Sequence, residues 1–416
     1  MAQLSNDCFV CQQEVIRLVD ALGLITERIS SVTDSVIIPI EASDGRILAV
    51  DVLAPVDLPP FDNSAVDGYA VRYADLNASG ESYMRIAARV TAGAQLNVDL
   101  PPGSAVRIFT GAPTPAQFDT VFMQEDATED GENVRLPKGL RCGANRRLAG
   151  EDLKRGSIAL RAGRRLSPSD IALLAALGRT TVVVRHQLRV ALFSTGNEVI
   201  PPGRPLEVSK IYDANRFMLR ALLERANCMV TDLGILPDSE AAVRRAIVAA
   251  ADTHDLLVSS GGVSAGDEDH VRAAVASVGS LVFWRVSIKP GRPVAMGVAG
   301  GTPFIGLPGN PVAVFVTFAL LARPLIARLA GEEYQPPYPV TVVSGFSYEK
   351  KAGRREYVRV RLFSRDGAVE AQKHPSDGAG VITSLTQTDG LLELPEHATR
   401  IEPGDPVGFL SYAELL

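Results

Sequence analysis

Cysteine is scarce: there are four in 416 residues, two of them in a C-x-x-C at Cys8 and Cys11. Four thiols cannot staple a chain of this length, which excludes a disulfide framework and points to a reducing, cytoplasmic home. A zinc centre lacks its second ligand pair, because Cys142 and Cys228 stand far apart with no histidine beside either. A redox pair is expected after a strand of a βαβ unit, whereas Cys8 and Cys11 fall in a helical pattern over residues 8–22. An excess of charge is missing too. The 42 basic and 48 acidic residues leave a net charge of −6, which argues against nucleic acid or an anionic membrane as partner. No apolar run approaches membrane-spanning length, and the N-terminus lacks the basic-then-apolar layout of a signal peptide. Fixed-period repeats and low-complexity tracts are absent. There is no serine–histidine–acid grouping, no G-x-G-x-x-G and no P-loop, and His254 and His270 read as incidental.

What is present is a multidomain α/β pattern. Residues 8–54 and 150–186 read as two pieces of one discontinuous helical domain. The first piece holds a helix over 8–22 and another over 44–49 capped by Ser43. The second holds "RLSPSDIALLAALG", with Ser167 as cap, Pro168 in the first turn and Gly178 at the end. Between them, residues 55–149 alternate strand-like runs with proline and glycine turns, an inserted β-rich domain. Residues 187–332 alternate apolar strands with helices, the mark of βαβ units and a largely parallel sheet covered on both faces. After the proline-rich "YQPPYP", residues 338–416 read as short strands of a small β domain.

In an open α/β sheet, ligands bind outside the carboxyl ends of the strands. The unusual loops of 187–332 fall at such ends: "STGNE" (194–198), "PDS" (237–239), "SSGGVSAGDED" (259–269), "KPGRP" (289–293) and "GLPGNP" (306–311). Their chemistry suits a phosphorylated ligand. Gly261, Gly262 and Gly266 let backbone N–H groups approach an anion at a helix start. Lys289 and Arg292 supply fixed positive charge, with Arg285 as a further cation. Glu198, Asp238, Asp267 and Asp269 beside a phosphate imply Mg²⁺, and acids added to cations imply cleavage of a phosphate bond as well as binding. Taken alone, Asp267 and Asp269 also read as helix N-terminal residues, and "GLPGNP" as a helix start with Pro311 in its first turn. One further stretch stands out, "PPFDNSAVDGYAVR" (59–72), a proline-stiffened turn that carries two carboxylates and a glycine.

Together "PPFDNSAVDGYAVR", "RIFTGAP", "FMQED", "FSTGNEV", "IYDANR", "SSGGVSAGDEDHV", "IKPGRPVAMG" and "GLPGNPVAVFVTF" resemble the molybdopterin molybdenumtransferase family, in order, from about residue 8 to 410. The resemblance implies four domains in an elongated homodimer: a discontinuous helical domain with a β insertion, a three-layer α/β molybdopterin-binding domain and a small C-terminal β barrel. It implies that molybdate is inserted at the dithiolene of adenylylated molybdopterin, with Mg²⁺ as cofactor and AMP released. Partners then implied are a second copy forming the active site near the interface, molybdopterin adenylyltransferase, and molybdoenzyme maturation proteins.

The rim loops and the resemblance together assign residues, the resemblance matching Asp67, Thr110, Glu198, Asp238, Asp269, Arg285, Lys289 and Arg354. Asp67, Thr110, Glu198 and Lys289 are the catalytic set, with Asp67 acting with the metal or positioning the attacking oxygen. Glu198, Asp267 and Asp269 are the metal ligands. Substrate contacts fall to Ser194, Thr195, Gly196, Asp238, Gly261, Gly262, Ser264, Arg285, Lys289, Arg292, Pro308, Asn310 and Arg354. Asp62 and Asn63 are expected to cap their turn locally. Asn197 stands where an aspartate is common, Arg285 where a lysine is frequent, and Ala379 where a serine hydroxyl is expected. Two other readings use the same fold: a non-catalytic molybdopterin carrier or scaffold, and the adenylyl-transferring enzyme of the same pterin.

Overall fold

The computed structural model describes residues 15–96, 99–263, 270–365 and 367–416. The expectations for Cys8, Cys11, Ser264, Gly266, Asp267 and Asp269 lie outside those residues. The first described helix is Leu18–Arg28 rather than 8–22, with Asp20 in its first turn and Arg28 in its last, each favourable to the helix dipole. Its buried stripe of Leu18, Ala21 and Ile25 joins the core of the α/β unit.

The separated N-terminal pieces meet as strands. Ser35–Pro39 pairs antiparallel with Thr181–Arg185, Ser35 opposite Arg185, and Leu48, Val52, Leu160, Leu174 and Val184 share one small core. The helix expected over 44–49 does not form. A short 3₁₀ turn ends at Ala42, where Ser43 Oγ donates back to the Ile40 carbonyl at 2.6 Å. Gly45 adopts φ 69°, and Ile47 and Leu48 bridge to Arg165 and Val184, so tertiary pairing overrides the local pattern. The helix Pro168–Ala176 forms as expected, closed by a reciprocal capping box between Ser167 and Asp170.

The insertion is a six-stranded sheet in the order Thr120–Met123, Gly68–Val71, Ser104–Ile108, Ser82–Val90, Asn133–Leu136, Thr128–Asp130. Gly68 sits where a Cβ would lie 1.7 Å from the Phe122 carbonyl oxygen. Gly68→Ala therefore forces two strands apart. The expected loss is about 3 kcal/mol, read as a lower denaturant midpoint for the transition of this domain.

In the α/β unit we number β1 (Arg189–Thr195), α1 (Asn215–Arg225), β2 (Met229–Leu236), α2 (Glu240–Ala251), β3 (Leu256–Ser260), α3 (His270–Val278), β4 (Gly279–Arg285), β5 (Pro293–Ala299), β6 (Thr302–Leu307) and α4 (Pro311–Ala330). The sheet order is β2-β1-β3-β6-β5-β4. The first four strands are parallel, while β5 is antiparallel to β6 and β4 antiparallel to β5. Two reversals leave β4 running with the parallel set, so "KPGRP" shares the rim of the other loops. Alternating residues of β1 and β3 face two cores, Val190, Leu192 and Val258 towards α1 and α4, Ala191, Phe193 and Leu257 towards α2 and α3.

α4 corrects one expectation. At 20 residues it has the length and apolar composition of a membrane span, but 83% of its most apolar stretch is buried inside the fold. Its ladder widens to a π turn over Phe318–Ala322, just before Pro324, which has no N–H and would clash in a regular turn. Cys228, at the foot of β2, is buried, and burial pushes its thiol up to about 12. It packs as a small apolar side chain.

The C-terminal region is a closed five-strand barrel. Arg355–Arg365 pairs with both Ala368–Lys373 and Gly390–Leu394, and Val340–Ser344 and Pro406–Ser411 complete the ring. A sixth strand comes from the α/β unit. Ile288–Lys289 lies parallel to the barrel, Ile288 opposite Arg355 and Lys289 opposite Glu356.

Candidate active site

Two adjoining cavities open at the rim, sharing Pro293, Pro308 and Asn310. The larger, about 660 Å³, is lined by Ser194, Thr195, Gly196, Glu198 and Asp238 from the ends of β1 and β2, and by Gly261 and Gly262 after β3. Glycine is required here for close approach. A Cβ on Gly261 would lie 2.8 Å from the Thr195 carbonyl, and one on Gly262 2.8 Å from Thr195 Oγ1, both at positive φ. The bare loop thus sits on the end of β1. Ser194 Oγ and Thr195 Oγ1 are buried there without a hydrogen-bond partner among the described residues. Buried hydroxyls of this kind can bond to a ligand or to water. The Glu198 carboxylate folds back over Gly196, within 2.6 Å of where a Cβ would stand.

Asp213 and Asn215 also line this cavity, and they belong to a grouping that the sequence reading missed. Arg216, nine-tenths buried, donates through Nε to Asp213 Oδ2 at 2.9 Å and through Nη1 to Asp232 Oδ2. Asn215 Nδ2 donates to the Gly309 carbonyl at 2.7 Å, tying the start of α1 to the "GLPGNP" loop. The signal was the stretch "IYDANR", whose acid, amide and arginine fall within four residues. Lys210 Nζ binds the Asn197 carbonyl at 2.6 Å, so position 197 serves the loop through its backbone.

The smaller cavity, about 300 Å³, holds Lys289 and Arg292 from the "KPGRP" loop with Arg354, Glu356, Arg359 and Lys373 from the barrel. Its pivot is Glu356, only 1% exposed, which the sequence reading did not single out. Lys289 Nζ donates to Glu356 Oε2 at 3.0 Å and lies 3.1 Å from the Tyr348 hydroxyl. The Tyr348 hydroxyl donates to Glu356 Oε2 at 2.9 Å, and Arg354 Nε to Oε1 at 2.8 Å. Burial opposes ionisation of Glu356, but the bonds from Lys289, Tyr348 and Arg354 outweigh it and hold the carboxyl below its ordinary value. For Lys289, burial likewise disfavours the charge, yet Tyr348 and Glu356 raise its pKa, and it stays an ammonium.

Arg359, also missed, is 5% exposed, donates to the Ser376 carbonyl at 2.8 Å and has a buried Nε without a partner. Burial works against its charge. Five cations thus face two carboxylates, Glu356 and Asp377, and Asp377 is taken by Lys373 at 2.7 Å. The surplus suits an oxyanion. Ala379 lines this cavity without a hydroxyl, as its sequence requires.

A depressed carboxyl gives stability that is complete above its unfolded value, about 4.3, and is lost as pH falls through the lower folded value. In Glu356→Gln, the acid-side decline in unfolding midpoint should flatten relative to the parent, measured by thermal unfolding across pH 3 to 6.

Some expected residues are elsewhere. Arg285 lines neither cavity. It ends the outermost strand β4, its backbone opposite Pro293 and its carbonyl accepting from Ile16 N at 3.0 Å. Asp62 does not cap locally; it binds Arg146 and the Ala149 N–H, the latter at 2.7 Å, whereas Asn63 does bond locally to the Phe61 carbonyl. Asp67 and Thr110 lie in the insertion, outside both cavities of their own chain. Thr110 donates its backbone N–H and its hydroxyl to Asp67 Oδ1, each at 2.7 Å. Those two bonds, with help from the Arg107 charge, hold the carboxyl below its ordinary value, so it is ionised.

Comparison with known proteins covers the chain in three blocks. Residues 16–178 match the MoeA N-terminal region (domain I and II), 191–328 a probable molybdopterin binding domain, and 341–412 the MoeA C-terminal region (domain IV). A molybdopterin molybdenumtransferase of Haemophilus influenzae is 37% identical over 97% of this chain and 100% of its own. One from a Nostoc species is 36% identical over 92% and 90%. The crystal structure of a molybdopterin biosynthesis MoeA protein from Pyrococcus horikoshii OT3 covers 96% of this chain and 100% of its own, with a TM-score of 0.80 at 28% identity.

Proposed function

The chain belongs to the molybdopterin molybdenumtransferase family, and from that premise we propose that it inserts molybdate into adenylylated molybdopterin with Mg²⁺-dependent release of AMP. It is a transferase of molybdenum cofactor synthesis. The observation that carries the finer reading is the pairing of the two cavities. One has three acids, of which Asp213 is paired with Arg216, and two orphaned hydroxyls, the other a surplus of fixed cations, and they meet at Pro308 and Asn310. The first suits the pterin phosphate and the adenylyl group, the second the tetrahedral oxyanion. A water oxygen attacks phosphorus and the phosphoanhydride breaks to release AMP, while two Mo–S bonds to the dithiolene form as one molybdate oxygen leaves as water with the two thiol protons.

The residues present fit Mg²⁺. Glu198 and Asp238 offer oxygen donors beside the hydroxyls of Ser194 and Thr195, a hard donor set. Asp267 and Asp269, the other expected ligands, lie outside the described residues, and phosphate and water would complete the set. When bound, Mg²⁺ would neutralise charge developing on the cleaved phosphate. The protein's own part is to fix the acceptors. Lys289, Arg354 and Arg359 hold the oxyanion, and the glycines keep the floor of the larger cavity open. Asp67, ionised and clamped by Thr110, orients the attacking oxygen. Asp67 lies outside both cavities of its own chain, so on this reading it serves the site from a second copy, with a homodimer as the working unit.

Purified protein with adenylylated molybdopterin, molybdate and Mg²⁺ is expected to release AMP and yield active cofactor. Tight pterin binding with no AMP release would instead make the protein a carrier. Formation of adenylylated product from ATP would make it the adenylyltransferase, which is expected to be its partner in handing over substrate.

A further inference from the structure

Arg107 lies at the end of the strand Ser104–Ile108 and lines neither cavity, yet it binds the residue after Asp67 and the residue that bonds to Asp67's carbonyl. Its Nη1 donates to the Gly68 carbonyl at 3.1 Å and its Nη2 to Gln124 Oε1 at 2.5 Å. Gln124 in turn donates its backbone N–H to the Asp67 carbonyl at 2.9 Å. The guanidinium lies 5.0 Å from the centre of the Tyr69 ring and 4.9 Å from that of Phe109. Phe109 directly precedes the threonine that holds Asp67 Oδ1. One side chain therefore ties together every strand end that presents the carboxylate.

We propose that Arg107 is a positioning residue for the reaction, fixing the Asp67 turn through its two-pronged bond to Gly68 and Gln124 and its stacking on Tyr69 and Phe109. The inference rests on the reading that Asp67 serves catalysis. A planar fork fits this role because two acceptors, one on a strand and one on a 3₁₀ turn, must be met at once beside two rings. A lysine offers neither the span nor the plane. Asp67 is half-buried in a turn that Ser64 Oγ and the Ala65 bond to the Asn145 carbonyl also hold, and Arg107 adds the restraint on its Gly68 and Gln124 side, where loose positioning is costly in rate. Arg107 also borders a shallow groove with Arg89, Phe109 and Glu129. A direct substrate contact in that groove is the rival role, and kinetics separates the two.

The test is a double-mutant cycle on the full-length enzyme, assayed for AMP release with adenylylated molybdopterin, molybdate and Mg²⁺. Arg107→Met should lower kcat about tenfold to a hundredfold with KM within about twofold. Arg107→Lys should recover little of the loss. In an Asp67→Ala background, Arg107→Met should change kcat by less than about twofold, because a group acting through Asp67 has nothing left to act on. Losses that multiply, a raised KM at unchanged kcat, or full rescue by lysine would overturn the proposal. Independently of turnover, hydrogen exchange at the Thr110 and Gln124 amides of the substrate-free protein should quicken about tenfold in Arg107→Met, and unchanged exchange would also overturn it. If Asp67→Ala alone turns over normally, the catalytic reading of Asp67 fails. If Asp67→Ala is inactive while Arg107→Met is not, only the inference about Arg107 fails.

Discussion

Asp67→Ala is expected to lower AMP release at least a hundredfold while leaving the thermal unfolding midpoint where it was. The two halves of that result have separate causes. Asp67 is half-buried at the surface, and its partners, the N–H and hydroxyl of Thr110, take water in its absence. Chemistry is different, since a carboxylate aligned by two 2.7 Å bonds supplies orientation that water cannot, and groups of this kind carry about 10²–10³ in rate. Asp67→Asn should be nearly as poor, because it keeps the shape and loses the charge. Mixing inactive Asp67→Ala with an inactive Lys289→Ala partner adds a sharper check. Hybrid dimers that regain activity place the two residues in one shared site. No recovery, despite exchange of subunits, places them in the same chain.

Lys289→Ala is the second large effect, and it should strike both rate and stability. Loss of a fixed cation at the oxyanion is expected to cost about 10²–10³ in kcat, measured by AMP release at saturating molybdate. Removing it also takes one of three donors from Glu356, which is 1% exposed. A hydrogen bond to a buried charge is worth about 1.5–3 kcal/mol, so urea unfolding should show a loss of that order. The double variant Lys289→Ala/Arg354→Ala leaves the carboxylate with Tyr348 alone, and the loss should grow to about 3–5 kcal/mol. Glu356→Gln in the same background should restore part of it. If the double variant were as stable as the parent, Glu356 would not be the pivot described above.

The rim was legible because strand–helix alternation is a local pattern, and its loops must gather at the carboxyl ends whichever strands pair. That is why Ser194, Thr195, Glu198, Asp238, Gly261 and Gly262 were found to line one cavity. β5 was not foreseen. "PVAMGVA" is a buried apolar run without alternation, and nothing local says that it turns back antiparallel between β4 and β6. Glu356 and Arg359 escaped for another reason. Each is a charged residue within a strand, and the lysine that explains Glu356 is 67 positions away, a separation no window of sequence can span. Arg285, assigned through the resemblance, ends the outermost strand and lines neither cavity of its own chain.

The short strand Ile288–Lys289 ties the lysine's location to a barrel whose first strand begins about fifty positions later, at Val340. Exchanging C-terminal regions between relatives would consequently transplant more than a peripheral module. Each chimera inherits a new mount for its key ammonium, and mismatched seams should reveal themselves as sluggish catalysts that are nonetheless well folded.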